Sequence, residues 1–253
     1  MVVERRSEGG VKICWIHDLL LDLCISESRA DKEIEICTKK NISSLGNAKS
    51  CRLSLRGNYM VSLKQSDHFR IHSLICIWDD INFGWIRLSS FPLARIVDLG
   101  YGTLHSSMAR DLEMFIYLRY LRLRKSYYQS DGVVPICALP NLETLIIENI
   151  ALYGHKDDYR NTYTLPHEIW RLKKLRHLEG RLCMTSNTIP TDTPGEDCLP
   201  NLQTLQVVTL EEGLTVSSIV NERFPKLRKL GLRSLTKRSY QVPPSSPETP
   251  TSN

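Results

Sequence analysis

One spacing of apolar positions recurs along the middle and end of the chain. In the stretch 139–147, Leu139, Leu142, Leu145 and Ile147 occupy relative positions 1, 4, 7 and 9. Positions 7 and 9 are separated by one residue, so this part can form a strand with both side chains on one face. Copies of the pattern begin at residues 91, 115, 139, 172, 199 and 224. The chain is therefore organised around a repeating unit that ends in a short strand.

The other copies keep these positions apolar or small, with glycine in the ninth place of the fourth copy. They comprise Phe91, Ala94, Val97 and Leu99; Phe115, Leu118, Leu121 and Leu123; Leu172, Leu175, Leu178 and Gly180; Leu199, Leu202, Leu205 and Val207; and Phe224, Leu227, Leu230 and Leu232. A helix would require the 3.6-residue period to continue past the ninth position, and it does not. Most intervals fall within the roughly 20–29 residues of a leucine-rich repeat. We predict an α/β leucine-rich-repeat solenoid with a curved parallel sheet on its concave face, rather than an unrelated α/β domain.

The pattern also divides the chain into segments. The leucine-rich repeats are predicted over 69–236, and 29–68 is predicted to hold a polar connection and an atypical first repeat with a strand near 52–55. The polar, aromatic insertion from Tyr153 to Tyr163 explains the longest interval and predicts a loop on one face of the solenoid. Residues 237–253 are rich in proline and serine and are expected to be disordered.

The N-terminal region has a different pattern. Two short β-prone runs, 1–5 and 11–16, flank the pair Gly9-Gly10, which favours a hairpin. The next run reads Ile-His-Asp-Leu-Leu-Leu-Asp-Leu over 16–23 and has apolar residues at helical spacing. Because an isolated hairpin is marginally stable, we expect the chain to begin inside a domain.

A hairpin that ends in Ile-His-Asp, followed at once by Leu-Leu-Leu-Asp-Leu and then by leucine-rich repeats, resembles plant nucleotide-binding leucine-rich-repeat immune receptors. The resemblance is to the coiled-coil type typified by late blight resistance protein homologues. It implies that residues 1–28 are the C-terminal hairpin and helix of a winged-helix (NB-ARC) subdomain. It also implies that His17 and Asp18 complete a Met-His-Asp motif, with Ile16 in place of methionine.

In that family the histidine contacts the β-phosphate of bound ADP, so the resemblance makes His17 and Asp18 candidate cofactor-binding residues where the NB-ARC domain is present. ADP and ATP are implied as cofactors of the full-length family. The 253 residues contain no GxxxxGK[ST] phosphate loop. We therefore predict that this chain alone binds neither nucleotide. Without the resemblance, a histidine at a hairpin-to-helix junction would more simply satisfy nearby carbonyl groups.

The composition also bears on the cellular compartment and on metal binding. Eight cysteines are scattered without a CxxC pair, which favours reduced thiols and a cytoplasmic protein. No apolar run approaches the roughly 18 residues of an integral membrane segment. His68 and His72 are four residues apart but lack the glutamate of a HExxH site, so no metal site is expected.

Positions 5, 8 and 10 of each repeat are predicted to face the concave surface. The candidate partner-binding residues there are Arg119, Arg122, Arg124, Glu148, Arg176, Glu179, Arg181, Arg228 and Arg233, and the same columns contain Glu143, Ile146, Gln203, Gln206, Val208 and Gly231. Arginine binds carboxylates in a bidentate way, so the expected partner is an acidic protein surface. Charges kept only for solubility would give the same pattern. Nucleic acid is not expected, because aromatic stacking positions are missing from these columns.

No catalytic constellation such as GxSxG is present, so we expect a binding protein and not an enzyme. The resemblance implies a fragment of an intracellular immune receptor whose repeats recognise a pathogen effector or altered host protein, contact the receptor's own NB-ARC domain and restrain its nucleotide switch. One alternative is a leucine-rich substrate adaptor of a ubiquitin ligase, whose F-box helix bundle the first 30 residues do not supply. Another is a truncated or decoy repeat protein without a signalling role.

Overall fold

A computed structural model gives the fold. It describes residues 2–5, 11–15, 23, 26–27, 34–37, 51–56, 70–77, 81–82, 89, 91–104, 111–128, 135–148, 151–152, 162–189, 198–210, 214 and 223–233. The strands are β1 (Val2–Arg5), β2 (Val11–Trp15), β3 (Ile34–Cys37), β4 (Arg52–Arg56), β5 (Ser73–Ile77), β6 (Ile81–Asn82), β7 (Ile96–Leu104), β8 (Tyr120–Tyr128), β9 (Thr144–Glu148), β10 (Ala151–Leu152), β11 (Tyr163–Thr164), β12 (His177–Met184), β13 (Thr204–Leu210) and β14 (Lys229–Arg233). Two 3-10 helices, η1 (Pro135–Ala138) and η2 (His167–Arg171), lie between strands.

The main sheet is parallel and follows the chain. Its order is β3-β4-β5-β7-β8-β9-β12-β13-β14, with β6, β10 and β11 pairing beside β7, β8 and β12. Parallel neighbours need a crossover connection, and here each crossover returns the chain to the next position along the same sheet. This one-directional stacking confirms the predicted leucine-rich-repeat solenoid.

A tight turn precedes the strand in each of the six repeats recognised from the sequence. The N–H of position 4 donates to the carbonyl oxygen of position 1 at 2.9–3.3 Å, from Ala94 to Phe91 in the first copy and from Leu227 to Phe224 in the last. Such an i to i+3 bond keeps both side chains pointing inward while reversing the chain direction. The three-residue spacing between positions 1 and 4 thus corresponds to a turn and not to a helix.

Position 5 connects each repeat to the next. The carbonyl oxygen of Arg119 accepts hydrogen bonds from the N–H groups of Glu143 at 2.8 Å and Thr144 at 2.9 Å. The same double acceptance recurs at Cys51, His72, Arg95, Glu143, Arg176 and Gln203. Because one carbonyl oxygen fixes where the following strand begins, every repeat enters the sheet in the same register.

The core is one continuous cluster formed by the repeating apolar positions. Leu139, Leu142, Leu145 and Ile147 are each 0% exposed, and the predicted core residues of the copies beginning at 91 and 115 are equally buried. The structure adds one position that was not predicted, three residues before position 1. It is filled by Leu112, Ile136 and Ile169, all buried. Full burial of each such side chain contributes about 1.5–3 kcal/mol relative to exposure.

Residues 34–37 lie within the segment predicted to hold a polar connection and an atypical first repeat, where they form β3 and pair with β4. Two sequence predictions about strands were wrong. Val208 was placed on the concave face, but it is 0% exposed in the core. Leu230 and Leu232 were predicted to be core residues and are 37% and 46% exposed, because β14 is the last strand of the described sheet and no described repeat packs over it.

The inward position of Val208 has a physical cause in the pairing of β13 with β14. Leu205 pairs with Leu230 and Val208 pairs with Leu232, so two residues of β13 lie opposite one residue of β14. Such a bulge shifts the inward positions of one strand by one residue relative to its neighbour. Strict alternation carried over from the earlier repeats therefore fails in β13.

The predicted N-terminal hairpin is confirmed, since β1 and β2 pair antiparallel in a separate two-stranded sheet. In the predicted helix that follows, Leu23, Ser26 and Glu27 are described and are helical. His17, Asp18, His68, most of the insertion (153–161) and the tail 237–253 lie outside the described residues, as does the winged-helix assignment that depends on them. The flanks of the insertion are described: β10 pairs with β8 and β11 with β12.

Candidate partner-binding face

The strand register aligns the concave-face side chains in two rows across the sheet. What we call the second row comprises Ile75, Asp98, Arg122, Ile146, Glu179 and Gln206, which are partners on successive strands. These residues are all half-buried. Two of the candidate residues, Arg122 and Glu179, thus lie in one row, separated by Ile146.

A first row was missed by sequence reasoning. It comprises Ile96, Tyr120, Thr144, His177, Thr204 and Lys229, which are also partners on successive strands. His177 Nδ1 and Thr204 Oγ1 lie 3.1 Å apart within it. These residues are at position 6, two before position 8, so the two-residue period of a strand was the signal that could have found them.

Two of the predicted arginines form ion pairs within the face. Arg122 donates to Glu148 Oε1 at 2.7 Å, and the two side chains are 27% and 38% exposed. Arg119 and Glu143 lie 3.6 Å apart, with exposures of 65% and 35%. The structure therefore brings together Arg122 with Glu148 and Arg119 with Glu143, which lowers the net charge these arginines present to a partner.

The environment of Arg122 favours its charge. Partial burial lowers the pKa of Arg122, but the hydrogen bond to Glu148 and the carboxylates of Glu148 and Asp98 raise it, and the net direction is upward. Its Nε is buried and has no hydrogen-bond partner among the described residues. Arg122 is consequently a fixed cation held between two acidic side chains.

Three other candidate arginines have no carboxylate partner among the described residues. Arg176 and Arg228 are exposed and Arg181 is half-buried, and no carboxylate among the described residues lies within ion-pair distance of them. Glu179 likewise forms no ion pair within this part of the chain. Arg124 and Arg233 are placed by their backbone, with Arg124 pairing opposite Glu148 and Arg233 opposite Thr209.

No disulfide joins Cys51, Cys76, Cys137, Cys183 and Cys198. Burial, with a smaller contribution from Glu168, raises the pKa of the Cys137 thiol to about 12 although Arg171 opposes the shift. Burial and the Asp98 carboxylate also raise the pKa of Cys76. Across the described ranges, no cluster of histidine, cysteine and acidic side chains has the arrangement of a metal site.

Taken together, the stacked parallel strands, the repeated turns and the continuous leucine core define a protein of the leucine-rich-repeat class. No helix within the described ranges has the length and apolar character needed to cross a membrane. No protein-family model matches the chain. The chain is similar to the functional domain of InlJ from Listeria monocytogenes, with a TM-score of 0.47 and 16% identity over 74% of this chain and 35% of that one.

The sequence relatives are more specific and confirm the resemblance inferred from the residues. The chain is 29% identical to the putative late blight resistance protein homolog R1B-14 of Solanum demissum, over 70% of this chain and 14% of that protein. It is 26% identical to a further putative late blight resistance protein homolog of the same plant, over 91% of this chain and 18% of that protein. It is also 26% identical to late blight resistance protein R1-A, over 70% of this chain and 14% of that protein. The chain spans between 14% and 24% of the length of such relatives.

Proposed function

We propose that this chain is the repeat region of a plant intracellular disease resistance receptor and that its concave face binds an acidic surface of a protein. The observation that carries the proposal is the contrast between paired and unpaired arginines. Arg119 and Arg122 have glutamate partners, whereas Arg176, Arg181 and Arg228 have none among the described residues. Unpaired guanidinium groups in a strand or directly before one are suited to bidentate contact with carboxylates.

The similarity to late blight resistance proteins supports the choice of partner class. The acidic surface belongs to a pathogen effector, to a host protein that the effector alters, or to the receptor's own nucleotide-binding module. A ligand that competes with the module for the concave face shifts the receptor population away from its restrained state. The repeats act in the cytoplasm, by binding and not by catalysis.

The nucleotide switch itself requires more than this chain. His17 and Asp18 contribute to nucleotide sensing when a phosphate-binding module is present, because histidine can donate to phosphate oxygen. The chain alone binds neither ADP nor ATP. Calorimetric titration of the purified chain checks this, and micromolar binding of either nucleotide would contradict it.

The concave-face proposal is tested by charge reversal. Biolayer interferometry measures binding of the purified chain to the nucleotide-binding module of an R1-type late blight resistance protein. The triple variant Arg176→Glu, Arg181→Glu, Arg228→Glu is expected to weaken binding by at least about tenfold, since a lost charge contact of about 1.4 kcal/mol corresponds to a factor of ten.

The matched control is the triple variant Arg70→Glu, Lys174→Glu, Lys226→Glu, which changes the net charge equally at exposed sites off the concave face. It should retain most of the binding. Equal weakening by both triple variants would mean that overall charge, and not the concave face, controls association, and would overturn the proposal. Circular dichroism confirms that both variants keep the native strand content.

A further inference from the structure

A second surface lies beside the concave face, where the turn before each strand exposes position 3 of the repeat. We call this surface the lateral edge. In the six repeats its position-3 residues are Leu93, Tyr117, Asn141, Lys174, Asn201 and Lys226. Arg70 holds the same position in the preceding repeat, where His72 is at position 5. Leu93 and Tyr117 are apolar or aromatic, whereas the residues from Asn141 onward are polar or basic, so the edge changes character along this part of the solenoid.

Hydrogen bonds between neighbouring repeats show that these positions form one continuous edge. The Asn141 side chain donates to the carbonyl oxygen of Ile116 at 2.6 Å and accepts from Lys174 Nζ. Asn201 donates to the carbonyl oxygen of Lys173 at 2.9 Å and accepts from Lys226 Nζ at 2.9 Å. The apolar end and the basic end are thus connected through a ladder of side chains.

The apolar end is formed by one turn and the residue beside it. Met114, Ile116 and Tyr117 are 56%, 50% and 48% exposed, and Leu93 in the preceding repeat is 39% exposed. The Ile116 N–H donates to the carbonyl oxygen of Met114 at 2.9 Å, which holds these side chains in a fixed turn. Large apolar side chains clustered at a tight exposed turn indicate an interaction site more strongly than scattered ones do.

The basic end is not neutralised. Residues 171–177, 198–204 and 223–229 contain no aspartate or glutamate. Lys174 and Lys226 are positioned by neutral amide oxygens, so each ammonium group keeps its full charge and has further donors available. Arg176 and Arg228 lie at the border of this end with the concave face, and both are exposed.

We propose that the lateral edge binds the surface of an anionic lipid bilayer. The basic end would contact headgroup phosphates and carboxylates, and Met114, Ile116 and Tyr117 would enter the interfacial region. Duplex nucleic acid would use the cations alone and leave the apolar turn without a role. An acidic protein would not require cations and exposed apolar side chains to be separated along one edge. A bilayer uses both ends at once, since its interface is charged outside and apolar beneath.

The test is co-sedimentation of the purified chain with phosphatidylcholine vesicles, with and without phosphatidylserine. Binding is expected only to the anionic vesicles and should decrease with salt. Lys174→Glu with Lys226→Glu should lower the partition coefficient more than tenfold, because each cation near an anionic surface contributes about fivefold. Met114→Ser with Ile116→Ser should also lower it by about tenfold. Arg181→Glu on the concave face is the charge-matched control for Lys174→Glu alone, and it should bind much more strongly than that variant.

Two results would overturn the proposal. One is the absence of binding to anionic vesicles, or binding that the lysine and apolar variants do not change. The other is equally strong binding of duplex DNA or polyglutamate that depends on the lysines but not on Met114 and Ile116, which would make the edge a general polyanion site. Lys174→Gln with Lys226→Gln is used if the glutamate pair variant does not fold. The concave-face proposal is measured with a protein partner, so neither result affects it.

Discussion

Gly180 in β12 lies directly opposite Ile147 in β9, and its backbone approaches that residue closely. The φ angle of Gly180 is 133°, a region that side-chain-bearing residues rarely adopt. A Cβ on Gly180 would overlap the carbonyl oxygen of Ile147 and lie 2.6 Å from its carbonyl carbon. The glycine therefore allows β12 to stay paired with β9 at the point where it begins to bulge against β13.

Gly180→Ala is expected to destabilise the protein by about 2 kcal/mol or more, because the added methyl group meets backbone and the φ angle becomes strained. Chemical denaturation of the two proteins measures the loss. Gly231→Ala in the terminal strand β14 is the control, and its effect should be well under that of Gly180→Ala. Equal stability of the wild-type protein and Gly180→Ala would show that β9 and β12 can separate at this point without cost.

The sequence predicted the core of the repeats correctly and failed where neighbouring strands influence one another. The side chains of Leu145 and Leu178 point into the core because of the apolar spacing within their own repeat. That spacing can be read directly from the sequence. Val208 is inward because β13 has one extra residue opposite β14, which is a property of the pair of strands. β3 was overlooked because its alternation covers only 34–37 within a polar segment.

The candidate partner-binding face shows the same difference between what one repeat determines and what neighbouring strands determine. The outward direction of Arg122 followed from strand alternation, but its bond to Glu148 joins residues 26 apart in the chain. That partnership depends on the length of the intervening connection and on the register fixed by position 5. Sequence alone therefore placed Arg122 on the outward face but did not reveal that a glutamate neutralises it.

Thr188→Val is expected to destabilise the protein by about 1–3 kcal/mol. Thr188 is 0% exposed, and its hydroxyl donates to the carbonyl oxygen of Leu165 at 2.6 Å. Valine has the same shape but leaves that carbonyl without this buried donor. The measurement is guanidinium unfolding, and Thr164→Val on exposed β11 is the isosteric control. A change no larger than that of the control would show that water replaces the lost donor.

Thr209→Val is expected to have the opposite effect and to stabilise the protein. Thr209 is 1% exposed, and its Oγ1 has no hydrogen-bond partner among the described residues. Replacing a buried unsatisfied hydroxyl by a methyl group removes a desolvation cost, so stability should rise by about 1 kcal/mol. The same unfolding measurement checks this. A clear loss of stability would mean that the hydroxyl has a partner in solution.

The Cys137 thiol should make stability depend on pH in the alkaline range. Its folded-state pKa is raised from 9.0 to about 12, so the folded protein retains a proton that the unfolded chain releases. The stabilising effect is complete below pH 9 and is lost as pH rises from 9 towards 12. Relative to Cys137→Ala, the wild-type protein should lose about 1 kcal/mol when pH rises one unit above 9. Denaturant unfolding at several pH values gives the difference, and parallel pH profiles would contradict the burial of this thiol.

The two ion pairs on the concave face should differ in strength. Arg122 and Glu148 are 2.7 Å apart and partly buried, whereas Arg119 and Glu143 are 3.6 Å apart and more exposed. A double-mutant cycle of Arg122→Met and Glu148→Gln should give a coupling free energy of about 1 kcal/mol that decreases in high salt, since both groups are screened by solvent. The same cycle with Arg119→Met and Glu143→Gln should give close to zero. A coupling free energy for Arg122 and Glu148 as small as that expected for Arg119 and Glu143 would mean that the ion pair does not hold Arg122 in place.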